Sequence, residues 1–589
     1  LPKGKPQRLS NNEEWEYDPS YSPDGQSIVY TTWTDAELGQ VKVRNLSTRA
    51  TRVINDSKGY FHTPKFSPDG QQIVYIRSGG TNELGHAHGK MTGIYTCNTD
   101  GSNHQRIRED GEDPYWSADG KKIYFTTGGG LNKSFNVFLL EEKEERKLFS
   151  AKYARDFVPS PDGKWIAFTE LFNAYVAALP QVGQAVDLNK DQGSYPVFQV
   201  TRDAGTSLHW SPESDQLNWM LGPEYYSREL KDCFAFVKDS PDSLPPVDTA
   251  GIPVGLTLNT DIPEGKIALV GARIITMNGD QVIENGTVLI DGNRIVKVGE
   301  QDAVKVPKNA YVMDVSGKTI MPGIVDVHAH LGNSWNAISP QQQWSYLASL
   351  AYGVTTTHDP SSNTEMVFSQ SEMVKAGHMI GPRIYSTGTI LYGADGDFRA
   401  IVNNIDDARS HLRRLKAVGA FSVKSYNQPR RDQRQQIIQA ARELEMSVYP
   451  EGGSFFSHNM TQILDGHTGV EHSIPISPVY SDVARFWGAS ETGYTPTLIV
   501  GYGGVWGENY WYQKTEVWKN EKLLQFYPRR LLDARSIRRM MVADEDFGHF
   551  DNAKGCKAIA DEGGKIQLGA HGQLHGLGAH WELWMIGQG

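Results

Sequence analysis

The sequence predicts a multidomain protein in which a repetitive all-β unit precedes a mixed α/β unit. The chain has 589 residues, and a single hydrophobic core rarely grows beyond about 250–300 residues. The first half repeats one turn motif five times, and the second half contains an apolar strand that ends in His-x-His. We therefore expect a β-propeller in the first half and the chemistry of the protein in the second.

The composition argues against several classes of protein. A formal net charge of −11 is not the basic character typical of nucleic-acid-binding proteins, so no nucleic-acid partner is expected. No run of 18 apolar residues is present, so we expect no membrane span. The three cysteines, Cys97, Cys233 and Cys556, lie far apart in the sequence, which argues against a disulfide framework or a zinc ribbon.

A Ser-Pro-Asp-Gly turn followed by a short apolar strand recurs through the first half. Its copies begin at Ser22, Ser67, Ser117, Ser160 and Ser211, and the last copy is degraded. The spacing of about 45–50 residues is the length of a propeller blade. Proline presets φ at the second turn position, and Asp-Gly permits positive φ at the corner. One such turn is common in any β protein, whereas five at blade spacing predict a propeller.

These repeats resemble those of TolB-type, WD40-like propellers over residues 10–245. We therefore assign residues 1–245 to a β-propeller, which we expect to be incomplete because most such propellers carry more repeats. The resemblance implies a periplasmic or exported location, with the cytoplasm as the alternative. A separate His86-Ala87-His88 motif has metal-like spacing, but it lies in a Gly-rich loop and follows no apolar strand, so we expect no metal site there.

Two shorter regions separate the propeller from the rest of the chain. Residues 246–265 are rich in Pro, Asp, Thr and Gly, which predicts a linker. Strand-like runs alternate with turns over residues 266–320, which predicts a small β-sandwich subdomain.

The most specific motif of the chain is an apolar strand that ends in His328-Ala329-His330. Residues two apart on a strand point to the same face, so both imidazoles can reach one ion. The string Pro-Gly-Ile-Val-Asp-Val-His-Ala-His closely resembles the first-strand signature of the amidohydrolase superfamily, and the imidazolonepropionase-like branch resembles it best. The resemblance implies a (β/α)8 TIM barrel over residues 321–589, with metal ligands after strands 1, 4, 5, 6 and 8.

The other barrel strands can be placed in chain order by the same resemblance. They are expected at residues 352–359, 381–388, 420–426, 446–453, 465–473, 495–498 and 564–573. Helical spacing with charged outer faces predicts helices over residues 405–418 and 431–444.

The resemblance also implies a set of metal ligands at these strand ends: His328, His330, Lys424, Glu451, His472 and His571. Lys424 occupies a position at which the family can carry a carbamylated lysine that bridges two metal ions. The alternative is a lysine whose stem lies at the barrel mouth with its charge in water. We expect one or two divalent ions, with Zn²⁺ as the first choice.

Two of these positions depart from the family pattern. Glu451 stands where the family most often has His, and His571 stands where it has an Asp that serves as ligand and general base. Imidazole can ligate a metal and accept a proton near neutral pH, so we predict catalytic roles for His571 and Glu451. His580 and Glu582 are further acid/base candidates, with packing at the start of a helix as the alternative.

The predicted activity is metal-dependent hydrolysis of a carbon–nitrogen bond in an amide, cyclic amide or dipeptide. One alternative is an interaction protein with impaired catalysis, because the family Asp is replaced at His571. Another is hydrolysis of esters, lactones or phosphotriesters on the same type of site. The partners expected are a small-molecule or short-peptide substrate, a second copy of the chain, or a protein bound to the propeller. The family continues beyond the last barrel strand, so we expect the barrel to be truncated at its C-terminus.

Overall fold

The computed structural model describes residues 8–80, 89–180, 183–193, 195–257, 259–334, 337–453, 455–501, 504–537, 539 and 541–589. The His86-Ala87-His88 motif lies outside the described residues. Within the described ranges, no helix combines the length and the apolar character needed to cross a bilayer.

Five consecutive antiparallel sheets of four strands form the first half, and a short parallel strand, β16, extends the third sheet. The strands are β1 (Trp15–Tyr21), β2 (Ser27–Thr34), β3 (Leu38–Asn45), β4 (Thr51–Val53), β5 (Tyr60–Phe66), β6 (Gln72–Ser78), β7 (Gly93–Asn98), β8 (Gln105–Arg108), β9 (Glu112–Trp116), β10 (Lys122–Gly129), β11 (Asn132–Leu139), β12 (Glu144–Ala151), β13 (Ala154–Pro159), β14 (Trp165–Glu170), β15 (Asn173–Ala178), β16 (Val186–Asp187), β17 (Val197–Gln199), β18 (Thr206–Trp210), β19 (Gln216–Leu221), β20 (Glu224–Glu229) and β21 (Ile252–Pro253).

The repeated turn joins the first two strands of each sheet. In the first copy the Ser22 hydroxyl donates to the Asp24 carboxylate at 2.5 Å, and Gly25 has φ +67°. The later glycines of the motif have φ of +70° or +71°, whereas the degraded fifth copy places Ser214 at φ +62°. The sequence signal therefore arises from a corner that needs positive φ.

Residues at the end of the first strand of a sheet pack against the preceding sheet. The Trp116 indole N–H donates to the carbonyl of Lys65, and that of Trp210 donates to the carbonyl of Val158. This blade-to-blade packing confirms the predicted propeller architecture of the first half.

Along the chain, a five-stranded sheet follows the propeller and precedes the barrel. Its strands are β22 (Lys266–Ile275), β23 (Val282–Asp291), β24 (Arg294–Glu300), β25 (Tyr311–Asp314) and β26 (Thr319–Ile320). Apolar residues of β22 and β23 form its core. The sequence-based domain boundaries remain predictions.

Eight parallel strands follow, as the barrel prediction requires. They are β27 (Ile324–Asp326), β28 (Val354–Asp359), β29 (Arg383–Ser386), β30 (Ser422–Ser425), β31 (Ser447–Pro450), β32 (Gly469–Glu471), β33 (Gly493–Thr495) and β34 (Lys565–Ile566). A parallel bridge between Leu391 and Ser425 joins the third strand to the fourth. The amide of Val327 donates to the carbonyl of Leu568 at 3.0 Å and closes the ring from first strand to last.

The helices pack outside this ring, and two of them match the helical patterns seen in the sequence. They are α1 (Trp344–Ala351), α2 (Thr364–Ala376), α3 (Ile405–Ala417), α4 (Arg431–Leu444), α5 (Phe456–Asp465), α6 (Ser481–Gly488), α7 (Glu508–Lys514), α8 (Glu521–Phe526), α9 (Arg529–Ser536), α10 (His549–Asp561) and α11 (Leu577–Gly587). Buried apolar side chains of α3 and α4 form a core cluster against β30 and β31.

The seventh strand differs from its predicted position. It spans Gly493–Thr495 rather than residues 495–498. Pro496 has no N–H to continue the ladder, and Thr497 has φ +44°, after which a single 3-10 turn covers Leu498–Val500. The observed strand therefore ends at Thr495, the residue at which the predicted strand begins.

The propeller contacts the barrel at the loops that follow the barrel strands. Asp35 accepts hydrogen bonds from the amides of Gln341 and Gln342, in the loop after β27. The Tyr153 hydroxyl donates to Asp395, in the loop after β29, at 2.8 Å. The propeller thus contacts the barrel on the side where the C-terminal ends of the barrel strands lie.

Candidate metal centre

Four imidazoles meet at the C-terminal mouth of the barrel. They belong to His328 and His330 after β27, His472 after β32 and His571 after β34. Ring centroids of neighbouring imidazoles lie 4.8–5.1 Å apart. The candidate ligand atoms of His328, His330 and His571 lie within 4.8 Å of one another. The structure therefore brings together residues that are separated by more than 240 positions in the sequence.

Local backbone conformation places two of these rings. His472 and His571 have φ of +65° and +55°, which is uncommon for a residue with a Cβ. The amide of His571 donates to the carbonyl of His328 at 2.7 Å, and the amide of His472 donates to Thr495 at 2.8 Å. Such left-handed residues persist only when the surrounding structure determines them, and they cluster at functional sites.

A buried carboxyl group orients His328. Its Nδ1 lies 2.5 Å from Oε2 of Glu471, and the two side chains are 0% and 1% exposed. Burial raises the pKa of Glu471 to about 8. The other ring nitrogen, Nε2, has no hydrogen-bond partner among the described residues. Nε2 of His328 is therefore the nitrogen available to a cation, in the arrangement common for metal-bound histidine.

The second and third imidazoles are oriented in the same way. Nδ1 of His330 lies 3.1 Å from Oδ1 of Asp359, at the end of β28. Nδ1 of His472 lies 2.7 Å from the Thr497 hydroxyl. Because each Nδ1 has a polar partner outside the cluster, each Nε2 is left for the cluster itself.

Lys424 and Glu451 form a buried ion pair beside His472. The Lys424 ammonium, whose side chain is 2% exposed, contacts Oε2 of Glu451, and the other carboxylate oxygen lies 3.3 Å from Nε2 of His472. Burial opposes ionisation of Glu451, but the hydrogen bond with His472 and the charge of Lys424 together lower its pKa to about 2. Glu451 is therefore a carboxylate near neutral pH.

His571 completes the cluster where the family pattern has Asp. Its Nδ1 is buried without a hydrogen-bond partner in the described part of the chain. Burial, followed by the neighbouring His330 and His472, lowers its pKa to about 2, so the ring is neutral. A neutral imidazole with an unpartnered nitrogen can act as a ligand or as a proton acceptor.

The donor set fits a divalent cation. Neutral imidazole nitrogens and one carboxylate are the ligands that Zn²⁺ and similar ions prefer. Leaving two buried ring nitrogens unpaired costs free energy, and an ion would satisfy both. The geometry thus agrees with the six ligand positions expected from the sequence, whose roles remain a proposal.

Two expected catalytic residues lie in structural contacts instead. Nε2 of His580 lies 2.8 Å from the carbonyl of Tyr352. The carboxyl group of Glu582 is buried and accepts hydrogen bonds from the amides of Leu498 and Ile499, both at 2.8 Å. These contacts favour the alternative, packing of α11, because hydrogen bonds to the backbone already occupy His580 and Glu582.

Sequence reasoning missed the groups that orient the histidines. Glu471, Asp359 and Asp326 each stand at the last position of a barrel strand, and the strands that end at Glu471 and Asp326 are otherwise without polar side chains. Oδ1 of Asp326 accepts from the amides of His328 and Ala570, at 3.2 and 3.1 Å, and so joins the first strand to the last. The usable signal was an acidic residue at the end of an otherwise apolar strand, where an unpaired charge would be costly.

Comparison with known protein families identifies the first half of the chain. Residues 4–189 match the family model described as the TolB beta propeller domain. These residues are similar to a TolB β-propeller domain. This match confirms the resemblance inferred from the repeats.

Curated relatives support the amidohydrolase resemblance. A 5-methylthioadenosine/S-adenosylhomocysteine deaminase of Symbiobacterium thermophilum is 38% identical over 66 residues, which is 11% of this chain and 15% of the relative. An imidazolonepropionase of Alkaliphilus metalliredigens is 45% identical over 53 residues, which is 8% of this chain and 13% of the relative. The chain therefore spans well under a fifth of each curated relative.

Solved structures are similar to parts of the chain. A Xaa-Pro dipeptidase with bound methionine is 18% identical, with a TM-score of 0.41, over 55% of this chain and 84% of that chain. TolB from Acinetobacter baumannii is 20% identical, with a TM-score of 0.30, over 38% of this chain and 53% of that chain.

Proposed function

We propose that the barrel is a metal-dependent hydrolase of carbon–nitrogen bonds in a small molecule or short peptide. The observation that carries the proposal is the convergence of four oriented imidazoles, of which His328 and His571 present buried nitrogens without a partner among the described residues. The printed names of the relatives support the bond type, since a deaminase releases an amino group by breaking a C–N bond.

The residues divide into two adjoining ligand groups. His328, His330 and His571 would hold one divalent ion, for which Zn²⁺ is the first choice. His472 and Glu451 would hold a second, with Lys424 joining them as a carbamate if its amine reacts with carbon dioxide. The chemistry that such ions supply when bound is activation of water and polarisation of a scissile carbonyl.

The protein supplies a proton acceptor and a dry setting for this chemistry. Glu451 is ionised and His571 is neutral near neutral pH, which is the protonation state that a ligand or a general base needs, although pKa values of about 2 make both groups weak bases. In its uncarbamylated form, Lys424 contacts the Glu451 carboxylate within the buried site. Glu451 and His571 are the alternative bases of the proposal.

The His328→Ala variant tests the metal centre. We expect the purified wild type to retain a divalent ion after dialysis, and His328→Ala to lose both that ion and hydrolysis of dipeptides and cyclic amides. His209→Ala, an exposed propeller histidine, is the control and should retain both. Metal content is measured by elemental analysis. Equal metal content in His328→Ala and wild type would refute the proposal.

Three further expectations accompany this function. The TolB match is the support for a periplasmic or exported location. A second copy of the chain and a protein bound to the propeller stay predictions. Hydrolysis of esters or lactones, tested with such compounds in place of the amides, would redirect the substrate class without changing the metal centre.

A further inference from the structure

An arginine stands at the rim of the barrel mouth with half of its side chain in solvent. Arg535 lies in the last turn of α9, and its side chain is 51% exposed. One guanidinium nitrogen, Nη1, donates to Oε1 of Gln573 at 2.6 Å. The guanidinium is thus attached to the turn that follows the eighth barrel strand.

That turn lies directly against the metal-ligand histidines. Gln573 is two residues beyond His571. Between them, Gly572 has φ +68°, and a Cβ there would lie 2.7 Å from the carbonyl oxygen of His330. The position therefore requires glycine, and it fixes Gln573, and through it Arg535, beside the cluster.

A second side chain, that of Glu508, also contacts the Arg535 guanidinium. Oε2 of Glu508, on α7, lies 3.4 Å from the same Nη1, and the Glu508 side chain is 7% exposed. Burial, followed by the charge of Arg535, lowers the pKa of the His575 imidazole to about 3. Nη1 of Arg535 contacts Gln573 and Glu508, and Tyr512 adds a further polar contact, while half of the side chain stays exposed with donors to spare.

Other cationic side chains near the strand ends are engaged elsewhere. Arg399 contacts Asp395 and the Tyr153 hydroxyl of the propeller. Arg430 contacts Asp432 of its own helix. In contrast, Arg535 touches the turn that carries a cluster histidine.

We propose that Arg535 is a specificity-determining residue that binds a carboxylate of the substrate beside the scissile C–N bond. This inference rests on the proposed function and deepens it, since it restricts the substrates to amides that carry an acidic group. A planar guanidinium matches a carboxylate in a two-point hydrogen bond, and a charged hydrogen bond in a partly dry cleft is stronger than a neutral one.

Paired ligands that differ in one group test the proposal without requiring turnover. Calorimetry compares N-acetyl-alanine with N-acetyl-alaninamide on wild type, Arg535→Gln and Arg535→Lys, each in metal-loaded and metal-stripped form. We expect the wild type to bind the carboxylate about tenfold or more tightly than the carboxamide. Arg535→Gln should remove this preference and leave carboxamide binding unchanged, and Arg535→Lys should restore part of it.

A matched control separates this effect from general damage. Arg529→Gln removes an exposed arginine of the same helix whose partner is Asp533, and it should bind both ligands like the wild type. A wild type without preference for the carboxylate, or an equal loss of both ligands in Arg535→Gln, would overturn the inference. The carboxylate preference could also depend on metal and persist in Arg535→Gln. That result would assign carboxylate binding to the ion and would overturn the inference about Arg535.

The outcomes for the two proposals are distinguishable. If the wild type retains no divalent ion, the proposed function fails, whereas an Arg535-dependent preference in the metal-stripped protein would still stand. If metal and hydrolysis are present without that preference, only the inference about Arg535 fails.

Discussion

At the scale of single residues, Glu471 determines which nitrogen of His328 faces the cluster. Its carboxyl oxygen lies 2.5 Å from Nδ1, so the ring keeps one orientation. Hydrogen-bond partners of metal-bound histidines fix ring orientation and raise ligand basicity. The sequence placed His328 by its motif and marked Glu471 only as an acidic residue at a strand end; the pairing could not be inferred, because 143 positions separate the two residues.

Replacing the Glu471 carboxyl group by an amide should weaken metal binding without removing a ligand. We expect Glu471→Gln to lower the affinity for a divalent ion by about 10- to 100-fold. The measurement is a competition titration against a chelator of known affinity. Glu170→Gln is the control, because Glu170 is a buried propeller glutamate that accepts from the amide of Lys190. Wild-type affinity in Glu471→Gln would show that Glu471 does not position the ligand.

At the scale of elements, the strand ends were the predictable part of the barrel. Resemblance to the family's strand motifs placed seven strands within a few residues of their observed positions. The seventh was displaced because Pro496 and the left-handed Thr497 end it early. A short sequence motif therefore locates a strand well where no breaker interrupts it. It misplaces the strand where a proline, here Pro496, ends the hydrogen-bonded ladder early.

Helix α3 carries a histidine whose burial makes packing sensitive to pH. His411 Nε2 lies 3.0 Å from the carbonyl of Ile401, and the ring meets Phe172 of the propeller edge-on. Burial, followed by the charge of Arg414, lowers its pKa to about 3, while Asp203 acts weakly in the opposite direction. The folded state thus resists protonation that occurs near pH 6.5 in an unfolded chain.

The sign of the pH effect follows from this difference. The stability that neutral His411 contributes is complete above pH 6.5 and is lost as the pH falls towards 3. We expect His411→Gln to reduce the slope of unfolding free energy against pH, between about pH 6 and 4, by up to about 1.4 kcal/mol per unit. Denaturant unfolding at several pH values measures it, with the exposed His209→Gln as control. Parallel curves for His411→Gln and wild type would contradict the prediction.

At the scale of the whole molecule, the sequence predicts the two architectures but not how they meet. The repeats and the His-x-His strand each follow from local patterns, so propeller and barrel could be inferred separately. Their interface depends on loops with no periodicity, such as residues 331–343 after the first barrel strand. Only the three-dimensional structure shows that the propeller contacts the connection between His330 and α1.

Asp35 is the centre of that contact. Its two carboxylate oxygens accept from the amides of Gln341 and Gln342 at 3.0 and 3.1 Å, and its own amide donates to the Gln341 side chain at 3.1 Å. Nearby, the amide of Ser339 donates to the Tyr17 hydroxyl at 3.2 Å. The first blade of the propeller therefore holds residues 339–342, in the connection between the proposed ligand His330 and α1.

Breaking this contact should loosen the metal centre from a distance. Asp35→Ala removes both acceptors, and a loss of about 1–2 kcal/mol of loop ordering corresponds to roughly a tenfold faster release of the ion. Stopped-flow release to a chelator measures this rate, and limited proteolysis should show faster cleavage within residues 331–343. Asp100→Ala is the control, because Asp100 accepts from Ser102 within the second blade. If Asp35→Ala releases the ion at the wild-type rate, the propeller does not support the centre through this loop, and the two units act independently.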